Sequence, residues 1–234
     1  MKRHLALITA AILLGFTAFM GTANTALAVP IAVNNASFED DVCVDGTYTF
    51  TGTGAPCGQL AAPSGWSSAA FEGGVWNPTG SSYSVPIPDG DNIAWVRGGA
   101  IYQDVGESIM AGVTYTLEVQ VGNRADLSDD GVWYLTLQDG GTILASATGQ
   151  NTVSDSFSTA SVSYTALSDG GNLVIALRYG GEGNQVNYDD VRLYKIGAAE
   201  AQGGASVPEP GTLVLLGIAL LALGFLRHQK TSIV

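Results

Sequence analysis

Between residues 29 and 197, apolar side chains recur at every second position in short runs, and each run ends in Gly, Asp, Asn, Ser or Thr. Side chains two apart share one face of a strand, so the alternation predicts β-strands with one buried and one polar face. Helical periodicity is almost absent there. The predicted strands are 31–39, 91–98, 100–105, 114–123, 132–140, 142–149, 157–165, 172–180 and 185–196, punctuated by turn signals such as DGG at 139–141 and SDGG at 168–171. This spacing predicts an all-β fold, a two-sheet jelly-roll sandwich. The Gly-, Pro- and Ser-rich stretch 42–83 reads as surface loops.

The alternation also assigns faces. Tyr115, Leu117, Val119 and Val121 point inward, as do Trp133, Leu135 and Leu137, and Leu173, Ile175, Leu177 and Tyr179. Outward-facing candidates for binding are Trp95 and Arg97 in one strand, Gln103 in the next, then Tyr134 and Arg178, with Arg124 in a loop. A row of aromatic and hydrogen-bonding side chains is the chemistry that holds a sugar, the ring on an aromatic face and the hydroxyls on Arg and Gln.

Both ends of the chain break the strand pattern. MKRH, the apolar run Leu5 to Phe19 and ANTALAVP have the three parts of a secretory signal peptide, with Ala26 and Ala28 placing the mature start at Val29. Domain boundaries follow: signal peptide 1–28, sandwich 29–197, a small-residue linker 198–206 and a C-terminal segment 207–230. In that segment two prolines in Val207-Pro208-Glu209-Pro210 break the chain. Residues 211–226 then form an uncharged apolar stretch that predicts a short transmembrane helix, followed by RHQK. Cations just past a span favour keeping that end cytoplasmic.

Charge and composition narrow the chemistry. Residues 29–205 hold twenty carboxylates and five cations, Arg97, Arg124, Arg178, Arg192 and Lys195, for a net charge of −15. Such a field repels phosphate backbones, so nucleic acid is excluded as a partner. Both histidines, His4 and His228, lie outside the sandwich. No histidine-based triad or His-ligated metal can form in it, and the domain is expected not to be an enzyme. Cys43 and Cys57 in an exported chain predict a disulfide. In NYDDVRLY at 187–194, Val191 and Leu193 read as core, and parity turns Asp189 inward with them. An interior carboxylate needs a cation or donors. Glu39 could supply a second charge, and with backbone carbonyls the pair would suit a structural Ca²⁺.

Two resemblances sharpen this reading. NNASFED at 34–40, GW at 65–66, IYQDV, GVTYTLEVQVGNR and VNYDDVRLYKI resemble the galactose-binding-domain-like jelly rolls that include many carbohydrate-binding modules. The resemblance implies a structural calcium held by the N-terminal Glu and the C-terminal Asp, which here match Glu39 and Asp189 or Asp190. The order Pro-Glu-Pro, short apolar helix, basic cluster resembles the PEP-CTERM sorting signal of exopolysaccharide-producing Gram-negative bacteria. It implies membrane anchoring, processing near Val207 to Pro210 by an exosortase, and delivery to the cell surface or extracellular matrix. Two functions fit these observations, a surface-sorted domain that binds polysaccharide and a structural or adhesion protein with no sugar site.

Overall fold

The computed structural model describes residues 27–46, 62–127 and 131–197. Two compact units divide the chain, Met1–Ala198 and Ala199–Val234. Residues 1–26 of the expected signal peptide, Cys57, the expected linker and the sorting segment lie outside the described residues. Among the described residues no helix is long and apolar enough to cross a membrane.

Among the described residues of the first unit are nine strands: β1 Val29–Ile31, β2 Ser67–Trp76, β3 Ile93–Ser108, β4 Thr114–Asn123, β5 Trp133–Asp139, β6 Thr142–Gly149, β7 Ser156–Thr165, β8 Asn172–Tyr179 and β9 Val186–Ile196. Hydrogen bonding connects them in the order β6-β5-β8-β3-β9-β4-β7, with β1 added on β9 and β2 on β3. All pairings are antiparallel.

The long strand β3 belongs to both layers of the sandwich. Its first part pairs with β9, Ala94 opposite Tyr188, and its second part pairs with β8, Ala100 opposite Arg178. Gly98 and Gly99 stand between the two parts. Gly99 has φ +68°, and a Cβ there would lie 2.2 Å from the Ala70 carbonyl oxygen and 2.3 Å from that of Ala69. Only glycine fits this backbone and this approach. Here the structure joins what the alternation splits into strands 91–98 and 100–105.

Two further departures from the predicted elements have physical causes. The expected strand 31–39 stops at Ile31, because Asn35 and Phe38 take positive φ values of 46° and 62° that no extended strand permits. Strand β2 lies inside the stretch expected to be loops; its Gly and Ser content hides a strand that pairs along both parts of β3.

Apart from Trp133 and Tyr179, which are only partly buried, the expected core is in place. Tyr115, Leu117, Val119 and Val121 from one layer meet Leu135, Leu137, Leu173, Ile175 and Leu177 from the other, all buried. Each such side chain contributes about 1.5–3 kcal/mol on burial. Trp66 and Phe38 close one end with rings 5.8 Å apart. A second, smaller cluster of Trp76, Tyr83 and Ile93, flanked by Trp95 and Phe157, is stacked separately; the Tyr83 and Phe157 rings lie 4.7 Å apart.

Candidate functional site

Strand register places a groove on the outer face of the β5-β8 layer. Tyr134 of β5 stands opposite Arg178 of β8, which stands opposite Ala100 of β3, and Thr148 of β6 flanks Tyr134. In the next row, Thr136 and Ala176 are fully buried although they occupy the outward face. A cavity of about 490 Å³ is lined by Gly99, Tyr134, Thr148, Arg178, Tyr179 and Gly180. A neighbouring cavity of about 400 Å³ shares Tyr179 and adds Glu72, Arg97, Gly183 and Asn184. The Tyr179 hydroxyl donates to the Gly183 carbonyl at 2.6 Å, which fixes one wall.

Arg178 is anchored by an amide. With the Gln138 side chain oriented as its surroundings require, its oxygen accepts from Arg178 Nη2 at 3.1 Å and from the Thr136 hydroxyl at 2.6 Å, and its nitrogen donates to the Gly140 carbonyl at 3.2 Å. The Arg178 Nε is buried and has no hydrogen-bond acceptor. Across the shared wall, Arg97 and Glu72 sit 3.6 Å apart with both side chains more than half exposed.

The structure brings Tyr134, Arg178 and Arg97 to this surface and leaves the other predicted ligand residues elsewhere. Gln103 is a correction: it is buried, accepting from the Asn34 amide at 2.8 Å and donating to the carbonyls of Asn34 and Gly65. The extra residue at the Gly98 and Gly99 bend reverses the parity of β3, so Gln103 shares the inner face with Ile101 while Tyr102 faces outward. Arg124 is likewise buried, its guanidinium 4.4 Å from the Trp76 ring centre and forked onto Asp126 at 2.8 and 2.7 Å. This pair, led by the hydrogen bond from Arg124, holds the Asp126 carboxyl below its ordinary range. Trp95 packs against the smaller aromatic cluster. Tyr179, expected to point inward, is only half-buried and lines both cavities, and Thr148, Glu72 and Asn184 were not singled out by alternation, because membership in a groove depends on cross-strand register.

The acids of the chain ends converge on one turn. Glu39 Oε1 accepts from the amides of Asp91 at 2.8 Å and Asn92 at 2.6 Å. Asn92 Nδ2 points at three oxygens, the Asp41 carbonyl at 2.9 Å, the Phe38 carbonyl at 3.2 Å and Glu39 Oε2 at 3.3 Å. Its Oδ1 is buried without a partner. Asp189 Oδ2 accepts from the Asp89 amide at 2.9 Å, and Oδ1 from the Asp190 amide at 2.7 Å. Burial pushes the Asp189 carboxyl up to about 8 against these two hydrogen bonds, and the charges of Asp190 and Asp89 push in the same direction as burial. Asp190 pairs with Arg192 at 2.6 Å.

Asp189 is fully buried, the interior position expected of it, with a bulge beside it. Asp190 has φ 48° and the β4-β9 register shifts beside it, so Tyr188 and Val191 both enter the core while Asp189 stands opposite the outward Gln120. Among the described residues, no three His, Cys, Asp or Glu side chains group as metal ligands. Cys43 is disulfide-bonded, and its expected partner Cys57 lies outside the described residues.

Residues 29–194 match the family model described as HpiC1 cyclase, HpiC1-like. The chain belongs to the HpiC1-like cyclase family. Residues 206–228 match the PEP-CTERM protein-sorting motif, which carries export, C-terminal membrane anchoring and processing by an exosortase. No curated protein matches the chain. An apo cyclase from Fischerella sp. has a similar structure, with 24% identity, TM-score 0.63, and coverage of 73% of this chain and 98% of that one. The Stig cyclase Fisc from Fischerella sp. TAU, in complex with (3Z)-3-(1-methyl-2-pyrrolidinylidene)-3H-indole, is similar at 22% identity and TM-score 0.62, covering 74% of this chain and 100% of that one. A looser likeness is to the CBM22-1 xylan-binding domain of Paenibacillus barcinonensis Xyn10C, at 13% identity and TM-score 0.45, covering 75% of this chain and 99% of that one.

Family membership corrects the expectation that the domain is not an enzyme. The residues missing from the sandwich are those of histidine-dependent and triad chemistry. A ring closure driven by proton transfer needs neither, so their absence does not exclude catalysis.

Proposed function

We propose that this exported, surface-sorted domain binds polysaccharide in the groove between β5, β8 and the bend of β3. The observation that carries this reading is the composition of the groove: Tyr134 and Tyr179 offer ring faces, and Arg178 and Thr148 offer polar groups to hydroxyls, in a cavity of about 490 Å³ open to solvent. The sorting motif supports it by delivering the domain to the surface, where polysaccharide is met. Retention on a panel of immobilised polysaccharides tests it. The full chain is expected to be retained by at least one of them, and Tyr134→Ala to weaken retention about tenfold, as loss of a stacking aromatic does. A chain retained by none of them sinks the reading.

The family match favours a second reading, a ring-closing reaction on a small aromatic guest held between the same tyrosines. Binding of 4-(1H-indol-3-yl)butan-2-one, the compound in another Fischerella sp. TAU cyclase structure, would support this use of the groove. Calorimetry with no heat above dilution counts against it.

A structural Ca²⁺ also remains part of the proposal, at the turn joined by Glu39. Turning the Asn92 amide over would bring its unpartnered Oδ1 alongside the Phe38 and Asp41 carbonyls and the Glu39 carboxylate, an all-oxygen set suited to a hard ion. Asp189 and Asp190 are held by amides and by Arg192 and would not join it. Melting with and without EDTA reads the ion.

A further inference from the structure

The domain has far more carboxylates than cations, so any cation should find a partner. Four do: Arg97 lies 3.6 Å from Glu72, Arg124 2.7 Å from Asp126, Arg192 2.6 Å from Asp190 and Lys195 2.8 Å from Glu107. Arg178 is the exception among the described residues. Its one hydrogen-bond partner is the neutral amide of Gln138, and its Nε is buried with no acceptor. A half-buried guanidinium without a counter-charge is costly, because desolvation is not offset by an ion pair. With twenty carboxylates in the domain, the fold could have offset that cost and does not.

This bare charge lines the larger cavity, between Tyr134 and Tyr179 and beside Thr148, where Gly99 and Gly180 contribute no side chain. Guanidinium pairs with a carboxylate in a two-bond fork that a hydroxyl cannot reproduce. We propose that the groove recognises a carboxylate-bearing sugar, a uronic acid residue, with Arg178 as the counter-charge and the tyrosines holding the ring. The proposal rests on the polysaccharide reading and names its ligand class. The net −15 of the domain disfavours dense polyanions at long range, yet at physiological ionic strength that field is screened within about 8 Å. A short acidic oligosaccharide therefore meets the local charge of Arg178 rather than the field of the whole domain.

The test compares trigalacturonate with its methyl ester, the same three rings with and without charge, by calorimetry on the full chain in detergent. The acid is expected to bind about tenfold tighter than the ester or better, a preference that Arg178→Gln abolishes while the melting temperature stays near that of the parent. Since the ligand change needs no protein variant, the comparison stands even where Arg178→Gln fails to fold, and Arg178→Lys then serves as the milder variant. Equal binding of acid and ester, or preference for the ester, overturns the acidic class and leaves the polysaccharide reading standing. Binding of neither, together with no binding to neutral xylan and galactan oligosaccharides, overturns both.

Discussion

Tyr188 ties the two layers together through a single hydroxyl. Its phenol starts on β9, crosses the core, donates to the Arg178 carbonyl at 2.5 Å and accepts from the Tyr134 amide at 3.3 Å. Burial pushes this phenol up, so it is neutral and available as a donor at any physiological pH. The two residues it holds are the two that face each other across the groove. Tyr188→Phe keeps the ring and removes both of these hydrogen bonds, a loss of about 1–3 kcal/mol. In a domain of this size that lowers the melting temperature by roughly 2–12 °C, and calorimetric melting measures it. An unchanged melting temperature would mean that water replaces the phenol and that the cross-layer tie is unimportant. The alternation of NYDDVRLY puts this tyrosine on the outward phase with Arg192, and only the bulge at Asp190 brings it into the core, from where its hydroxyl reaches the opposite sheet.

At the scale of elements, the turn 89–92 and the bend of β3 do most of the positioning. The turn seats backbone amides on Glu39 and on Asp189, so it joins the segment after β1 to strand β9 through carboxylates instead of a sheet ladder. If Ca²⁺ sits beside Asn92, its removal frees that join. Excess EDTA is then expected to lower the melting temperature by several degrees, with calcium restoring it, because an ion bound only to the folded state adds stability by mass action. A melt that EDTA leaves unmoved removes the ion from the account and leaves the amides as the sole partners of Glu39 and Asp189. The bend explains why face assignment holds for β4 and for Leu135, Leu137, Leu173, Ile175 and Leu177 and fails for Gln103. Regular strands carry parity from end to end, whereas an inserted residue at Gly98 and Gly99 reverses it. A Gly-Gly pair inside an alternating run is a sign of such a break, and the two short strands expected on either side came close to it.

For the whole molecule, the sorting motif at 206–228 and the cyclase-family domain at 29–194 divide destination from chemistry. Mass spectrometry of the protein recovered from its native surface is expected to find a C-terminus near 207–210, with RHQK absent, as processing at the motif requires. A native chain that keeps RHQK would make the membrane segment permanent. By itself the sequence determined the all-β class, the inner faces of the regular strands and the sorting signal, because each depends on local period or on a contiguous motif. It also suggested, through missing histidines, an absence of catalysis that family membership corrects. Only the tertiary structure decided that Tyr134, Tyr179 and Arg178 share one groove, that Gln103 and Arg124 are buried, and that the buried Asp189 is met by the amides of Asp89 and Asp190. Those outcomes depend on bulges that reverse parity and on register between strands distant in the chain, and neither is encoded by the spacing of residues within a single strand.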